Sequence, residues 1–187
     1  MTHIIHAAWE VNFGLPLETF EKVHIAGVRN LIDLALSSRH ISPPIFTFVS
    51  SVGAAVLYEG ETLEPTVGDR DGQILVPEIP IDNPAICMSQ GYSQSKYVCE
   101  RIIVEAVKAR TSLRAMISRV GQLSGDTYSG TWARNEYLPI LYRSILTIGL
   151  APSYFRASQG LCLNSSHLLT CVSSHGDWFQ LTSRLQL

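Results

Sequence analysis

The stretch IFTFVSS, residues 45–51, is the part of the sequence that decides the fold. Two prolines precede it, and its first five residues, Ile45–Val49, are all β-branched or aromatic. These residue types are enriched in strands, and a short run of them between prolines and serines predicts a buried β-strand. We expect this strand to end abruptly at Ser50 and Ser51.

Two further strands and two helices are predicted around this strand. Residues 2–8 (THIIHAA) form a short apolar run, and residues 114–120 (RAMISRV) form another that a glycine closes. A helix is predicted over residues 18–36, and a second one begins with GYSQSK at residues 91–96. The order strand, helix, strand, helix, strand is typical of an α/β fold with a parallel sheet.

Each predicted helix has an apolar side that is expected to face the sheet. Apolar residues spaced by three and four positions lie on one face of a helix, which is the face that packs on a core. In the first helix these residues are Val28, Leu31, Ile32 and Ala35, and in the second they are Val98, Ile102 and Val107.

Parallel sheets of this kind bind ligands beyond the carboxyl ends of their strands. That rule predicts a candidate site along one sheet edge, which the helix starting with GYSQSK also faces. The residues at this edge are His6, Ala7, Ala8, Ser50, Ser51, Gly121 and Gln122.

Tyr92 and Lys96 stand on one face of the second helix, because residues four apart are neighbours there. A nearby ammonium favours the phenolate form and is expected to bring the phenol proton into a usable range. Such a phenol can protonate a carbonyl oxygen that receives a hydride, while a hydroxyl from Ser51, or with less support Ser50, holds the same oxygen. The alternatives are a solvated helix face and serines that merely end a strand.

The composition excludes several other classes of function. The net charge is -2 and the basic residues are scattered, so neither nucleic acid nor an anionic membrane is an expected partner. The N-terminal residues do not resemble a secretory signal, and no apolar run reaches the length of a membrane span, so we expect a cytoplasmic protein.

A cluster of cysteine and histidine residues near the C-terminus raises the question of a metal site. The spacing matches no zinc pattern, so incidental side chains are favoured over metal binding. The residues are Cys162, His167, Cys171 and His175.

Five ordered blocks resemble the extended short-chain dehydrogenase/reductase family. They are HAAWEVNF, GVRNLIDLAL, FVSSVG, GYSQSKYVCERII and SRVGQLSG. More narrowly, the chain is similar to the thioester-reductase domain of carboxylic acid reductases, aminoadipate reductases and fungal nonribosomal-peptide-synthetase-like enzymes. The segment GTWARNEYLP at residues 130–139 is similar to a block of that subfamily, with Ala133 and Tyr137 departing from its usual asparagine and tryptophan.

The resemblance implies NADPH-dependent reduction of an acyl thioester to an aldehyde or alcohol in secondary metabolism. The thioester would be carried on the phosphopantetheine arm of a carrier (thiolation) domain. The implied catalytic residues are Ser51, Tyr92 and Lys96. The resemblance implies no metal site. The implied cofactor-binding residues are His6, Ala7, Ala8, Tyr92, Lys96, Val120, Gly121 and Gln122.

The sequence lacks the glycine-rich turn with which the family's fold begins. We therefore expect a partial NAD(P)-binding Rossmann-type sheet over residues 1–152, lacking its first strands, and a poorly ordered or diverged tail over residues 153–187. One alternative function is a catalytically inactive remnant that only docks on another protein. Another is an extended reductase of a free carbonyl or sugar nucleotide, against which GTWARNEYLP argues.

Overall fold

A computed structural model of the chain describes most of the sequence, in two compact units. The described residues are 1–40, 43–59, 76–121, 123, 125–126 and 128–150, together with the backbone of 154–157, 161–164 and 183–186. One unit comprises residues 1–121 and 179–187, and the other comprises residues 122–178.

The first unit is built on three parallel strands. They are β1 (His3–His6), β2 (Ile45–Ser51) and β3 (Arg114–Val120), with β2 in the centre. The strand β6 (Ser183–Gln186) adds antiparallel to β3, so the sheet order is β1-β2-β3-β6. The predicted α/β fold with a partial parallel sheet is confirmed.

Two helices cover one face of this sheet. A short 3-10 turn (Leu17–Phe20) and a π-helical turn (Glu21–Ile25) lead into α1 (Ala26–Leu36), and α2 spans Gly91–Ala109. Alternate residues of the strands point toward the helices and form one buried core with them. This core includes Val28, Ile32 and Ala35 of α1, Phe46 and Phe48 of β2, Cys99 and Ile103 of α2, and Ala115 and Ile117 of β3.

The buried face of α2 differs from the predicted one. Ile102 and Val107 lie only at the margin of the core and Val98 is half-buried, whereas Cys99 and Ile103 are fully buried. The inward face continues toward the N-terminus of the helix through polar residues, Ser95, Lys96 and Glu100, which are all buried. Ile102 and Val107 do pack against the core, so the prediction located only part of the buried face, because an apolar pattern does not reveal buried polar groups.

The second unit contains a helix that the sequence analysis did not predict. This helix, α3, spans Tyr137–Ile148 and ends at Gly149, which adopts a left-handed conformation with φ 73°. Past Gly149 we expected no regular element, but the backbone forms a hairpin of β4 (Tyr154–Ala157) and β5 (Leu161–Asn164), besides β6. The boundary at residue 152 stays a prediction.

Candidate active site

The strand ends bring the predicted residues to one edge of the sheet. Ser51 is the last residue of β2 and pairs in register with Val120, the last residue of β3, while His6 is the last residue of β1. After Ser51 the chain turns sharply, because its hydroxyl oxygen accepts a hydrogen bond from the Gly53 amide at 3.2 Å and caps a 3-10 turn. The turn directs the Ser51 hydroxyl toward the start of α2.

Tyr92, in the first turn of α2, lies next to this hydroxyl. The Ser51 side chain is close enough to the Tyr92 phenol to lower its pKa, and the Tyr92 ring meets Phe13 edge-on with 5.2 Å between ring centroids. Burial raises the pKa of Tyr92, and the contact with Ser51 acts in the opposite direction. We expected Lys96 to lower this pKa, but the pKa is raised, because burial is the largest cause, so the phenol keeps its proton.

Lys96 lies one turn further along α2 and is only 2% exposed. Its ammonium donates a hydrogen bond to the Val49 carbonyl oxygen at 2.7 Å. It also lies 4.0 Å from the centroid of the Trp9 ring and 5.8 Å from that of Tyr92. A cation over an aromatic face gains electrostatic stabilisation when it is desolvated. The structure therefore brings Ser51, Tyr92 and Lys96 together, with Lys96 held beneath Trp9.

The ionisation of Lys96 responds to this burial. Removal from water lowers the pKa of Lys96 from 10.5 to about 8, with Cys99 and Glu100 acting in the opposite direction. A lysine with a pKa in this range can exchange a proton near neutral pH, which a solvated lysine does far less readily. The pair of Tyr92 and Lys96 thus offers one protonated phenol beside one readily titratable amine.

Ser50 belongs to a different environment from its neighbour. It is 3% exposed, and its hydroxyl donates a hydrogen bond to the Glu100 carboxylate in the interior. The same carboxylate is paired with Arg119, with 2.8 Å between Arg119 Nη2 and Glu100 Oε2. Because Ser50 is occupied there, Ser51 is the serine whose hydroxyl reaches the site.

Trp9 is a site residue that the sequence analysis did not single out. Its indole N–H donates to Ser95 Oγ at 3.2 Å, and its ring stacks near His24 with centroids 4.7 Å apart. Ser95 Oγ in turn donates to the Tyr92 carbonyl oxygen at 2.7 Å. The available signal was a large aromatic residue directly after a strand end, at the edge where a ligand is expected.

The ends of β1 and β3 carry the residues predicted to border a cofactor. Ala7 and Ala8 are exposed, and Gly121 is half-buried directly after β3. The Nε2 atom of His6 is buried and makes no hydrogen bond within the described residues, and burial and then Lys96 lower the pKa of this histidine. Small exposed residues beside an unpartnered donor or acceptor fit the approach of a polar, flat ligand such as a nicotinamide nucleotide.

Some predicted residues cannot be compared with the structure. Gln122 lies outside the described residues, as do the side chains of Cys162, His167, Cys171 and His175. Among the helices of the described residues, none is both long and apolar enough to cross a bilayer.

A parallel α/β sheet with serine, tyrosine and lysine side chains at its carboxyl edge defines the class of nicotinamide-nucleotide-binding reductase folds. Residues 1–165 match the NAD-binding family described as male sterility protein. The chain belongs to this family, whose cofactor is a nicotinamide nucleotide.

Curated relatives confirm the resemblance that the motifs indicated. An adenylate-forming reductase from Heterobasidion annosum is 43% identical over 152 residues, which are 81% of this chain and 12% of the relative. An adenylate-forming reductase from Aspergillus terreus is 34% identical over 155 residues, or 81% of this chain and 14% of the relative. The chain therefore spans about an eighth of the length of such relatives.

Solved structures show the same fold. The terminal R domain of the myxalamid PKS-NRPS biosynthetic pathway superposes with a TM-score of 0.60 at 27% identity, covering 80% of this chain and 34% of that chain. A thiolation-reductase di-domain from an archaeal non-ribosomal peptide synthetase gives a TM-score of 0.55 at 20% identity, covering 79% and 36%. At that lower identity the likeness concerns the fold alone.

Proposed function

We propose that this chain carries the catalytic part of a thioester reductase of secondary metabolism. Its substrate would be an acyl thioester on the phosphopantetheine arm of a carrier domain, and its product an aldehyde or, after a second reduction, an alcohol. NADPH, when bound, supplies the hydride to the thioester carbon. The observation that carries the proposal is that Ser51 lies beside the Tyr92 phenol, with the buried Lys96 ammonium 5.8 Å from the centroid of the Tyr92 ring.

Each of the three residues has a distinct role in this proposal. Tyr92 donates its phenol proton to the carbonyl oxygen as negative charge develops there, and the raised pKa of Tyr92 keeps that proton in place beforehand. Ser51 donates a hydrogen bond to the same oxygen, so that the charge is held in a partly buried site. In the resulting hemithioacetal the carbon–sulfur bond breaks while the hydroxyl proton returns to Tyr92 and the C=O bond re-forms, and the departing thiolate takes up a proton from solvent as the thiol.

Lys96 would contact the cofactor ribose and supply a proton to Tyr92. An ammonium has three N–H donors, and the structure shows one of them on the Val49 carbonyl. The other cofactor contacts we propose are His6, Ala7 and Ala8 at the end of β1 and Val120, Gly121 and Gln122 after β3. A carrier domain is the partner that the family resemblance implies, and the likeness to the terminal R domain of a PKS-NRPS pathway is consistent with it.

The first test is cofactor binding by the 187-residue chain. NADPH is titrated into the purified protein, and nicotinamide fluorescence is followed, with NADH as a parallel titration. Saturable binding is the expected result. A linear, non-saturating signal would contradict the proposal for this chain and favour the inactive remnant, because the sequence lacks a glycine-rich turn.

The second test is the Tyr92→Phe variant with an acyl-pantetheine thioester as substrate. This variant retains the ring that packs on Phe13 but has no proton to donate. We expect turnover to fall by about 100-fold or more while NADPH binding is unchanged, since general acid catalysis contributes a factor of this size. Consumption of NADPH at the parent rate would refute the role of Tyr92.

A further inference from the structure

A buried ion pair lies one helical turn beyond Lys96. The side chains of Arg119 and Glu100 are 4% and 5% exposed, and the guanidinium binds both carboxylate oxygens at 2.8–3.2 Å. The Ser50 hydroxyl donates to the same carboxylate. Burial of two charges is costly unless the geometry is good and the remaining acceptor sites are satisfied, as they are here.

This network joins the three elements that carry the candidate site. Glu100 lies on α2, four residues after Lys96, while Ser50 on β2 is adjacent to Ser51. Arg119 on β3 is the register partner of Ser50. A carboxylate held by a bidentate arginine has little conformational freedom. Because this carboxylate belongs to α2, the network fixes the position of α2 along its axis and its rotation about that axis, relative to the strand ends.

We propose that Glu100, held by Arg119 and Ser50, is a positioning residue that fixes Lys96 relative to Ser51 and sets the charge at Lys96. It acts through α2 and touches neither substrate nor cofactor. The effect of Glu100 on catalysis rests on the proposed function. The effect of Glu100 on the charge of Lys96 is independent of that function.

The charged and titratable groups around Lys96 leave Glu100 as the anion that acts on it. Burial raises the pKa of the Cys99 thiol to about 12 and also raises the pKa of Tyr92, so both are neutral where Lys96 titrates. Burial, with Lys96 itself, lowers the pKa of His6 at the end of β1, so this histidine is neutral there too. The remaining charged or ionisable neighbours are Arg119, which is paired with Glu100 itself, and His24, whose ring centroid lies 4.7 Å from that of Trp9.

The Glu100→Gln variant tests the proposal directly. Glutamine keeps the size and one acceptor oxygen but removes the charge that favours the ammonium form. We expect the titration midpoint of Lys96 to fall by about one pH unit, the shift that a nearby charge produces in a partly buried site. The midpoint is measured by NMR of the full chain with labelled lysine side chains, whose signals come from Lys22, Lys96 and Lys108.

A matched control and a second variant keep this test decisive. Glu105→Gln removes a carboxylate from the same helix, but one that is 59% exposed and pairs with Arg101 and Lys108, so the Lys96 midpoint should not move. Glu100→Gln alone leaves a buried guanidinium unpaired and can prevent folding. The double variant Glu100→Gln/Arg119→Met leaves no unpaired guanidinium, and its Lys96 midpoint should lie between those of the parent and Glu100→Gln, because a positive charge is removed together with the negative one.

An unchanged Lys96 midpoint in a folded Glu100→Gln or double variant would overturn the proposal and leave the network a purely structural feature. The NMR readout needs no turnover, so it succeeds or fails independently of the thioester-reductase activity. Where turnover is measured, the alkaline limb of the kcat/KM profile should move to lower pH by the same amount as the midpoint.

Discussion

Ser50 and Ser51 are adjacent residues whose side chains point to opposite sides of β2. The alternation of a strand sends Ser50 toward the helices, where it meets Glu100, and leaves Ser51 at the strand end beside Tyr92. Two serines therefore have different roles because adjacent residues of a strand point to opposite faces. The sequence analysis favoured Ser51 from its position, and the hydrogen bond from Ser50 to Glu100 supplies the physical reason.

The two serine-to-alanine variants should separate stability from chemistry. Ser50→Ala removes an interior hydrogen bond to a carboxylate, so it should lower the free energy of unfolding by about 1.5–3 kcal/mol. Ser51→Ala removes a cap to Gly53 and should cost about 1 kcal/mol, but it should lower kcat/KM about 100-fold. Denaturant unfolding and turnover of each variant provide the measurements. A Ser51→Ala protein as active as its parent would contradict the assigned role.

At the scale of elements, the three parallel strands were predictable, whereas α3, the strands past Gly149 and part of the buried face of α2 were not. β2 and β3 fall where β-branched runs placed them, since those runs are short and bounded by proline or glycine. Part of the buried side of α2 was missed because Ser95, Lys96 and Glu100 occupy inward positions, and their burial depends on partners from other elements. The candidate site shows the same difference. Its residues at the strand ends were predicted from the sequence, whereas the roles of Trp9 and Glu100 could be recognised only from their contacts in the structure.

The start of α2 requires a glycine at position 91, because the backbone before the helix passes too close for a side chain. A β-carbon there would lie 2.6 Å from the Leu17 amide nitrogen and closer still to the Leu15 carbonyl oxygen, and backbone atoms cannot yield as a flexible side chain does. We expect Gly91→Ala to lower the free energy of unfolding by about 1–3 kcal/mol, with Tyr92 displaced.

Gly27 in α1 is the matched control for Gly91. A β-carbon at Gly27 meets no atom within 4 Å, so Gly27→Ala should raise stability by about 0.5–1 kcal/mol through helix propensity. Thermal unfolding of both variants gives the comparison. Equal effects of the two substitutions would show that the close approach at Gly91 does not govern how α2 starts.

At the scale of the whole molecule, the core couples stability to the protonation of groups at the site. α1 and α2 pack on one face of the sheet and bury Lys96 and the thiol of Cys99, while the thiol of Cys87 is buried in a second cluster with Ala54 and Tyr97. Each group is held in its neutral form more strongly than in the unfolded chain, because burial penalises charge. Burial raises the pKa of both thiols to about 12, and it lowers the pKa of Lys96 to about 8.

These shifts predict a maximum of stability near pH 9. From about pH 8 upward the folded protein loses the Lys96 proton while the unfolded chain, with a pKa of 10.5, retains it, so the free energy of unfolding rises with pH. Above pH 9 the unfolded chain loses thiol protons that folded Cys87 and Cys99 keep up to about pH 12, and the free energy of unfolding falls.

The Lys96→Met variant isolates the lysine part of this dependence. Between pH 8 and pH 9 the parent should gain about 1 kcal/mol relative to the variant, because only the parent has the lysine term. The variant should already lose stability in this range, since its unfolded chain starts to lose thiol protons that the folded chain keeps, and above pH 9 it should fall more steeply than its parent. Urea unfolding across this range measures both. Lys108→Met, at a side chain that is 63% exposed, should follow the parent profile. A parent and a Lys96→Met protein with parallel profiles from pH 8 to pH 9 would mean that Lys96 is not desolvated in the folded chain.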